Sequence, residues 1–167
     1  MESIRANALF SLFLTKVFLP SLRVTARARP TLVVFMGSLS DETPMARIAL
    51  YSASKHFNRR LVFGLHADER FDIPDEKAIS FMYVHLATVQ TQMNPEAPNF
   101  GRPSAEYFAR KLVGTFGCGR QMVVPYYGHY LIKLVGLSLP EFLLTKVLRD
   151  AAREQVEKGV KRSKSQS

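Results

Sequence analysis

Tryptophan is absent from this chain of 167 residues, and cysteine occurs once, at Cys118. A lone cysteine excludes an intramolecular disulfide. His56, His66, His85 and His129 are scattered, with no pair one helical turn apart beside an acidic helper, so they read as surface or packing residues and no metal site is expected. Acidic residues are few, 14 against 23 basic ones, which leaves a net charge of +9. Long apolar runs are also missing. Ala8 to Leu22 is short and carries Lys16 and Pro20, while Tyr126 to Leu144 is broken by His129, Lys133, Pro140 and Glu141. Neither supplies the ~18–20 uninterrupted apolar residues of a spanning helix. Met1 is followed by Glu2, Ser3, Ile4 and Arg5, which do not open a signal peptide. There are no internal repeats. Glycine is sparse where phosphate binding would need it: Gly114-Thr115-Phe116-Gly117-Cys118-Gly119 follows a helical pattern instead of opening one, so it reads as a helix C-cap and turn.

What is present centres on Tyr51-Ser52-Ala53-Ser54-Lys55. On a helix, a lysine four residues after a tyrosine emerges on the same face one turn on. An ammonium close to a phenol favours its ionised form, which makes the phenol usable as a general acid or base near neutral pH. Upstream, Thr31-Leu32-Val33-Val34-Phe35-Met36 reads as a buried strand that ends at Gly37-Ser38. Catalytic groups in open α/β sheets gather at the carboxyl ends of strands, so Ser38 can converge with a Tyr/Lys pair on the next helix. A carbonyl oxygen could then be held by Ser38 and protonated by Tyr51. Asn7 stands near the start of a helical stretch that Pro20 is expected to terminate.

The pattern predicts helix 3–19, strand 31–36, helix 49–67, strand 78–86, helix 104–116, a short strand 121–125 and a terminal helix from Pro140 to about Lys158. A basic surface turn is expected from Arg23 to Pro30, a charged loop from Asp68 to Lys77, and an irregular loop from Asn94 to Pro103, which holds Pro95, Pro98 and Pro103. Alternating strand and helix imply an α/β fold with a parallel sheet. With so few strands, apolar edges are left uncovered and stability is expected to be marginal.

Asn7, Ser38, Tyr51 and Lys55 resemble, in order and spacing, the catalytic tetrad of the short-chain dehydrogenase/reductase family. Within it the chain looks most similar to the microsomal very-long-chain 3-oxoacyl-CoA reductases, through Arg102-Pro103-Ser104-Ala105-Glu106-Tyr107-Phe108-Ala109, through Pro125-Tyr126-Tyr127-Gly128-His129, and through the basic carboxyl end. The resemblance implies the carboxyl-terminal portion of a Rossmann-like doubly wound sheet lacking the first βαβ units and their phosphate loop. Residues 1–145 would form the partial reductase domain and 146–167 a terminal helix and basic tail. It also implies reduction of 3-oxoacyl-CoA by NADPH. In that reading Tyr51 donates the proton, Ser38 bonds the oxygen, Lys55 contacts the nicotinamide ribose and Asn7 holds a water that relays protons to Lys55. Val89 and Thr91 match the family's loop on the nicotinamide side, although its Pro-Gly is replaced by Leu86-Ala87. Proton donation without a held hydride donor reduces nothing, so the chain alone is expected to be inactive.

The tail Lys158-Gly159-Val160-Lys161-Arg162-Ser163-Lys164 contains no acid and would be drawn to anionic lipid headgroups. Nucleic acid is not expected, since no binding fold or aromatic-basic interleaving accompanies the tail. The alternative function is therefore a non-catalytic truncated remnant that binds a partner or a membrane surface. By resemblance the location is the cytosolic face of the endoplasmic reticulum membrane, the substrate a long-chain acyl-CoA, and the partners further copies or components of an elongation complex.

Overall fold

In a computed structural model, residues 2–43, 45–73 and 78–165 are described, with side chains described as far as Arg153 except that of Asp72. Glu2–Ile4 (α1), a π-helical turn Arg5–Leu9 and Phe10–Ala28 (α2) run on as one helix of 27 residues. Pro20 does not terminate it, contrary to the sequence expectation. Pro20 is exposed, so the Lys16 carbonyl it leaves without an intrahelical donor faces solvent. Beyond it, Leu22 and Ala26 pack into the core, and Arg23 Nη2 pairs with Glu69 Oε1 at 2.6 Å. The helix stops at Arg29, extended at φ −158° and ψ 152°, because Pro30 disfavours a helical residue before it. The expected basic turn from Arg23 is thus mostly helix.

This longer helix also removes the ground on which a span was excluded: among the described residues, Glu2–Ala28 is long and apolar enough to cross a membrane. In the fold it lies on the domain, with Ala8 and Ala26 buried and Phe10, Phe13, Val17 and Phe18 exposed.

Strand β1 (Leu32–Met36) pairs in parallel with β2 (Ser80–Val84), Phe35 opposite Tyr83, and β2 pairs in parallel with the two-residue β3 (Met122–Val123), in the order β1-β2-β3. Strand alternation splits the core. Ile79, Phe81 and Tyr83 face Ala26 and Val62 of the helices, whereas Met82 and Val84 face Phe108 and Val123. The central β2 is almost wholly buried, but the apolar Leu32, Val33 and Val34 of β1 are only partly so.

Helix α3 (Ala49–Asp72) outlasts its expected end at Ala67, since the buried Glu69 is held by Arg23. Part of the expected charged loop is therefore helix, and residues 74–77 lie outside the described residues. Helix α4 (Ala105–Val113) is capped by Ser104, whose hydroxyl accepts from the Tyr107 N–H at 3.2 Å. The chain from 94 to 103 is irregular apart from the isolated bridges Thr91–Asn94 and Asn99–Arg102. After α4, Gly117 and Gly119 take φ of 80° and 73°, the left-handed turn conformation that glycine tolerates. Helices α5 (Tyr127–Ser138) and α6 (Glu141–Ser165) follow. Only the second was expected. Gly128 admits the close approach that seats α5, for a Cβ there would stand 2.3 Å from the Phe100 carbonyl oxygen.

Candidate active site

Ser38 follows β1 in extended conformation and caps the short 3-10 turn Leu39–Asp41. Its hydroxyl oxygen accepts from the Ser40 N–H at 3.2 Å and from the Ser40 hydroxyl at 2.9 Å. Both lone pairs are thereby used, which leaves the Ser38 O–H free to donate to a substrate oxygen. Tyr51 and Lys55 stand one turn apart on α3, and the Lys55 Nζ lies 5.5 Å from the centre of the Tyr51 ring. The same Nζ donates to the Met36 carbonyl at 2.9 Å, tying α3 to the end of β1. Burial holds the Lys55 pKa below the ordinary lysine value.

Asn7 lies in the π-helical turn, a distortion often found at functional sites. Its side-chain amide donates to the Ser3 carbonyl at 3.1 Å, and its own carbonyl accepts from Asn58 Nδ2 at 2.5 Å. Asn7 is thus docked on α3 three residues beyond Lys55, through Asn58. Val89 packs against the Met82–Phe108 side of the core, and the Thr91 backbone bonds that of Asn94 in a turn.

A polar cluster that the sequence reading passed over lies between these groups. Asp41 Oδ1 accepts from His85 Nε2 at 2.8 Å, and Asp41 Oδ2 accepts from the Tyr83 hydroxyl at 2.8 Å. His85 Nδ1 meets Lys133 Nζ at 3.0 Å. An ammonium only donates, so Nδ1 is the acceptor and the ring hydrogen sits on Nε2. Glu42 joins Arg59 at 2.7 Å to Lys133 at 3.0 Å. Ligand atoms of Asp41, Glu42 and His85 come within 4.8 Å of one another, but Arg59, Lys133 and Tyr83 already engage them, so the group is an ion-pair network. Burial alone would raise the Asp41 pKa; the hydrogen bonds from His85 and Tyr83 and the nearby positive charge prevail and lower it. Burial, then the bond to Asp41 and its charge, push the Tyr83 phenol well up, so it stays a neutral donor. The signal in the sequence was Tyr83 and His85 at alternate positions of an apolar strand, where buried polar groups must find partners.

Ser38, Tyr51, Glu42 and Lys133 line a cavity of about 790 Å³. Most of its remaining wall is aliphatic, with Leu131, Val135, Leu137, Leu139, Leu144 and Val147 from α5, α6 and their connection. Ala87 and Thr88 also reach it, whereas Val89 and Thr91 do not.

No protein-family model and no curated protein matches the chain. Solved structures do. A short-chain dehydrogenase from Burkholderia cenocepacia J2315, in complex with NADP, is similar at a TM-score of 0.67 and 17% identity, over 87% of this chain and 58% of that one. The chain has part of a short-chain dehydrogenase fold. At that identity the likeness bears on the fold, here the Rossmann-like parallel sheet flanked by helices. A short-chain dehydrogenase from Streptomyces avermitilis is 19% identical at a TM-score of 0.40, over 92% of this chain and 58% of that one. The chain spans 58% of the length of each of these structures.

Proposed function

We propose that the chain carries the proton-donating and substrate-holding part of a short-chain dehydrogenase/reductase, and that the whole protein reduces 3-oxoacyl-CoA to 3-hydroxyacyl-CoA in very-long-chain fatty acid elongation. The observation that carries this reading is that Ser38 and Tyr51 share a wall of the large aliphatic cavity. A carbonyl on a long apolar chain matches such a site, and its volume is within the usual range for ligand pockets. Ser38 donates to the carbonyl oxygen, Tyr51 delivers the proton, and Lys55, held by the Met36 carbonyl, fixes positive charge beside Tyr51. NADPH, when bound, supplies the hydride. The residues present suit its nicotinamide ribose end, because Lys55 keeps two ammonium hydrogens beyond the one given to Met36. Val89 and Thr91 are placed nearby by family resemblance alone. No glycine-rich turn among the described residues opens a helix to cradle the pyrophosphate.

β1 pairs on one side only among the described residues, and its partly exposed Leu32, Val33 and Val34 are where a further parallel strand of the whole protein would add. The apolar stripe of Phe10, Phe13, Val17 and Phe18 is the face we assign to a second copy or to an elongation-complex partner.

The test is NADPH consumption by the whole protein with 3-oxoacyl-CoA of increasing chain length. Turnover should rise with acyl length, and Tyr51→Phe should lower it about 10²-fold or more while leaving NADPH binding close to normal. Lys55→Ala should impair both. Near-normal turnover by Tyr51→Phe overturns the reading. A second reading, a non-catalytic remnant that binds a partner or membrane surface, is favoured by the lack of a phosphate cradle among the described residues and by the exposed Phe142 and Val147 of the basic α6.

A further inference from the structure

We propose that Tyr83 is the positioning residue of this site, joining through one hydroxyl the loop that carries Ser38 to the helix that carries Tyr51 and Lys55. The inference rests on the reductase reading but stands on separate contacts. Tyr83 is wholly buried on the central strand. Its hydroxyl is 2.8 Å from Asp41 Oδ2, three residues after Ser38, and 3.0 Å from the Lys55 carbonyl on α3. The ring fills the space above Gly37: a Cβ added there would fall 2.2 Å from the ring and 2.5 Å from its oxygen. Glycine at position 37 is therefore what lets the strand end lie against the phenol, and Ser38 is the next residue. The ring also meets that of His85 in an edge-type contact, with ring centres 5.2 Å apart, and His85 shares Asp41 with the hydroxyl.

These contacts fix two parts that local chain connectivity does not hold in register: the end of β1 with its turn Leu39–Asp41, and the helical turn that holds Lys55. Apolar packing alone would keep a ring in this core but would not fix the Asp41 carboxylate relative to the Lys55 backbone. Catalysis is sensitive to such placement, since a misplacement of about 1 Å can cost about 10²-fold in rate.

The experiment compares Tyr83→Phe with Val62→Ala, a change in the same buried core that leaves the hydroxyl in place. Side-chain NMR titration of Lys55 in the 167-residue chain gives a readout independent of turnover. In Tyr83→Phe the Lys55 midpoint should rise by about 0.5 or more toward the ordinary value as the ammonium gains water. Val62→Ala should lower thermal stability without moving that midpoint. In the whole enzyme, Tyr83→Phe should cut kcat about tenfold or more with KM for the acyl-CoA within about twofold. If Tyr83→Phe does not fold, Gly37→Ala, which keeps the hydroxyl but displaces the ring, should shift the Lys55 midpoint in the same direction. An unmoved Lys55 midpoint in a folded variant, or the same shift in Val62→Ala, overturns the proposal. A wild-type enzyme with no reductase turnover would sink the reductase reading and leave the Lys55 comparison to decide on Tyr83.

Discussion

Asp41 Oδ1 accepts a hydrogen bond at 2.8 Å from Nε2 of His85, 44 residues away, and both side chains are wholly buried. Lys133 on α5, which lines the cavity, reaches back to the other nitrogen of the same ring. A helix of the cavity wall, the turn after Ser38 and the central strand are thus held by one carboxylate and its neighbours.

Asp41→Ala should destabilise the fold by about 1–3 kcal/mol, since it strands the buried His85 donor, whereas Tyr83 keeps the Lys55 carbonyl and Arg59 keeps Glu42. Asp41→Asn, which keeps an acceptor, should cost less. Urea unfolding checks both. The folded Asp41 pKa is depressed, so its contribution is present above the ordinary value of 3.8 and is lost as pH falls through the folded value. Equal midpoints for wild type and Asp41→Ala at pH 7 would remove the network from any account of stability.

His129 should make the fold acid-sensitive nearer neutrality. It is wholly buried, and its Nε2 donates to the Thr88 carbonyl at 3.0 Å. Burial lowers its pKa from 6.5, and the backbone of Thr88 and Gly101 opposes this only in part. The unfolded chain then binds a proton that the folded one refuses, so stability rises with pH across that window and falls as pH drops below about 6.5. His129→Gln should flatten that part of a plot of unfolding midpoint against pH. An unchanged slope would show that other groups set it.

The 167-residue chain should give no saturable micromolar isotherm with NADPH in calorimetry. Gly117 and Gly119 lie in the turn beyond α4, away from any helix N-terminus among the described residues, so their N–H groups are not arranged around a pyrophosphate. A version that adds the glycine-rich strand-loop-helix unit should bind. A clean isotherm from the chain itself would refute this.

The carboxyl region should attach peripherally to anionic vesicles. Phe142 and Val147 on α6 and Leu134 and Leu137 on α5 are exposed, so the core does not absorb them. Side chains of the basic tail 158–167 lie outside the described residues, but each cation near an anionic surface contributes about 1 kcal/mol. Flotation should weaken with salt and on deletion of 158–167. Equal recovery with neutral and anionic vesicles would rule out the electrostatic part.

Local rules made the placement of Ser38, Tyr51 and Lys55 legible in the sequence. The four-residue step from Tyr51 to Lys55 needs only helix geometry, and Ser38 needs only the end of an apolar strand, so both could be placed before any contact was known. The α/β alternation, the parallel sheet and the Gly117–Gly119 turn were legible for the same reason. Tertiary structure decided the rest. Pro20 reads as a helix stop, yet burial of Leu22 and Ala26 and the Arg23–Glu69 pair carry the helix to Ala28, an energetic balance struck with another segment. Helix α5 was hidden because its cavity-facing and exposed apolar residues do not form one clean stripe. The hydroxyl of Tyr83 and the ring of His85 acquire their roles only when parallel pairing sets Phe35 opposite Tyr83 and brings Asp41 beside them. No local pattern encodes that register, since a polar residue in a buried strand announces that it needs a partner but not which one.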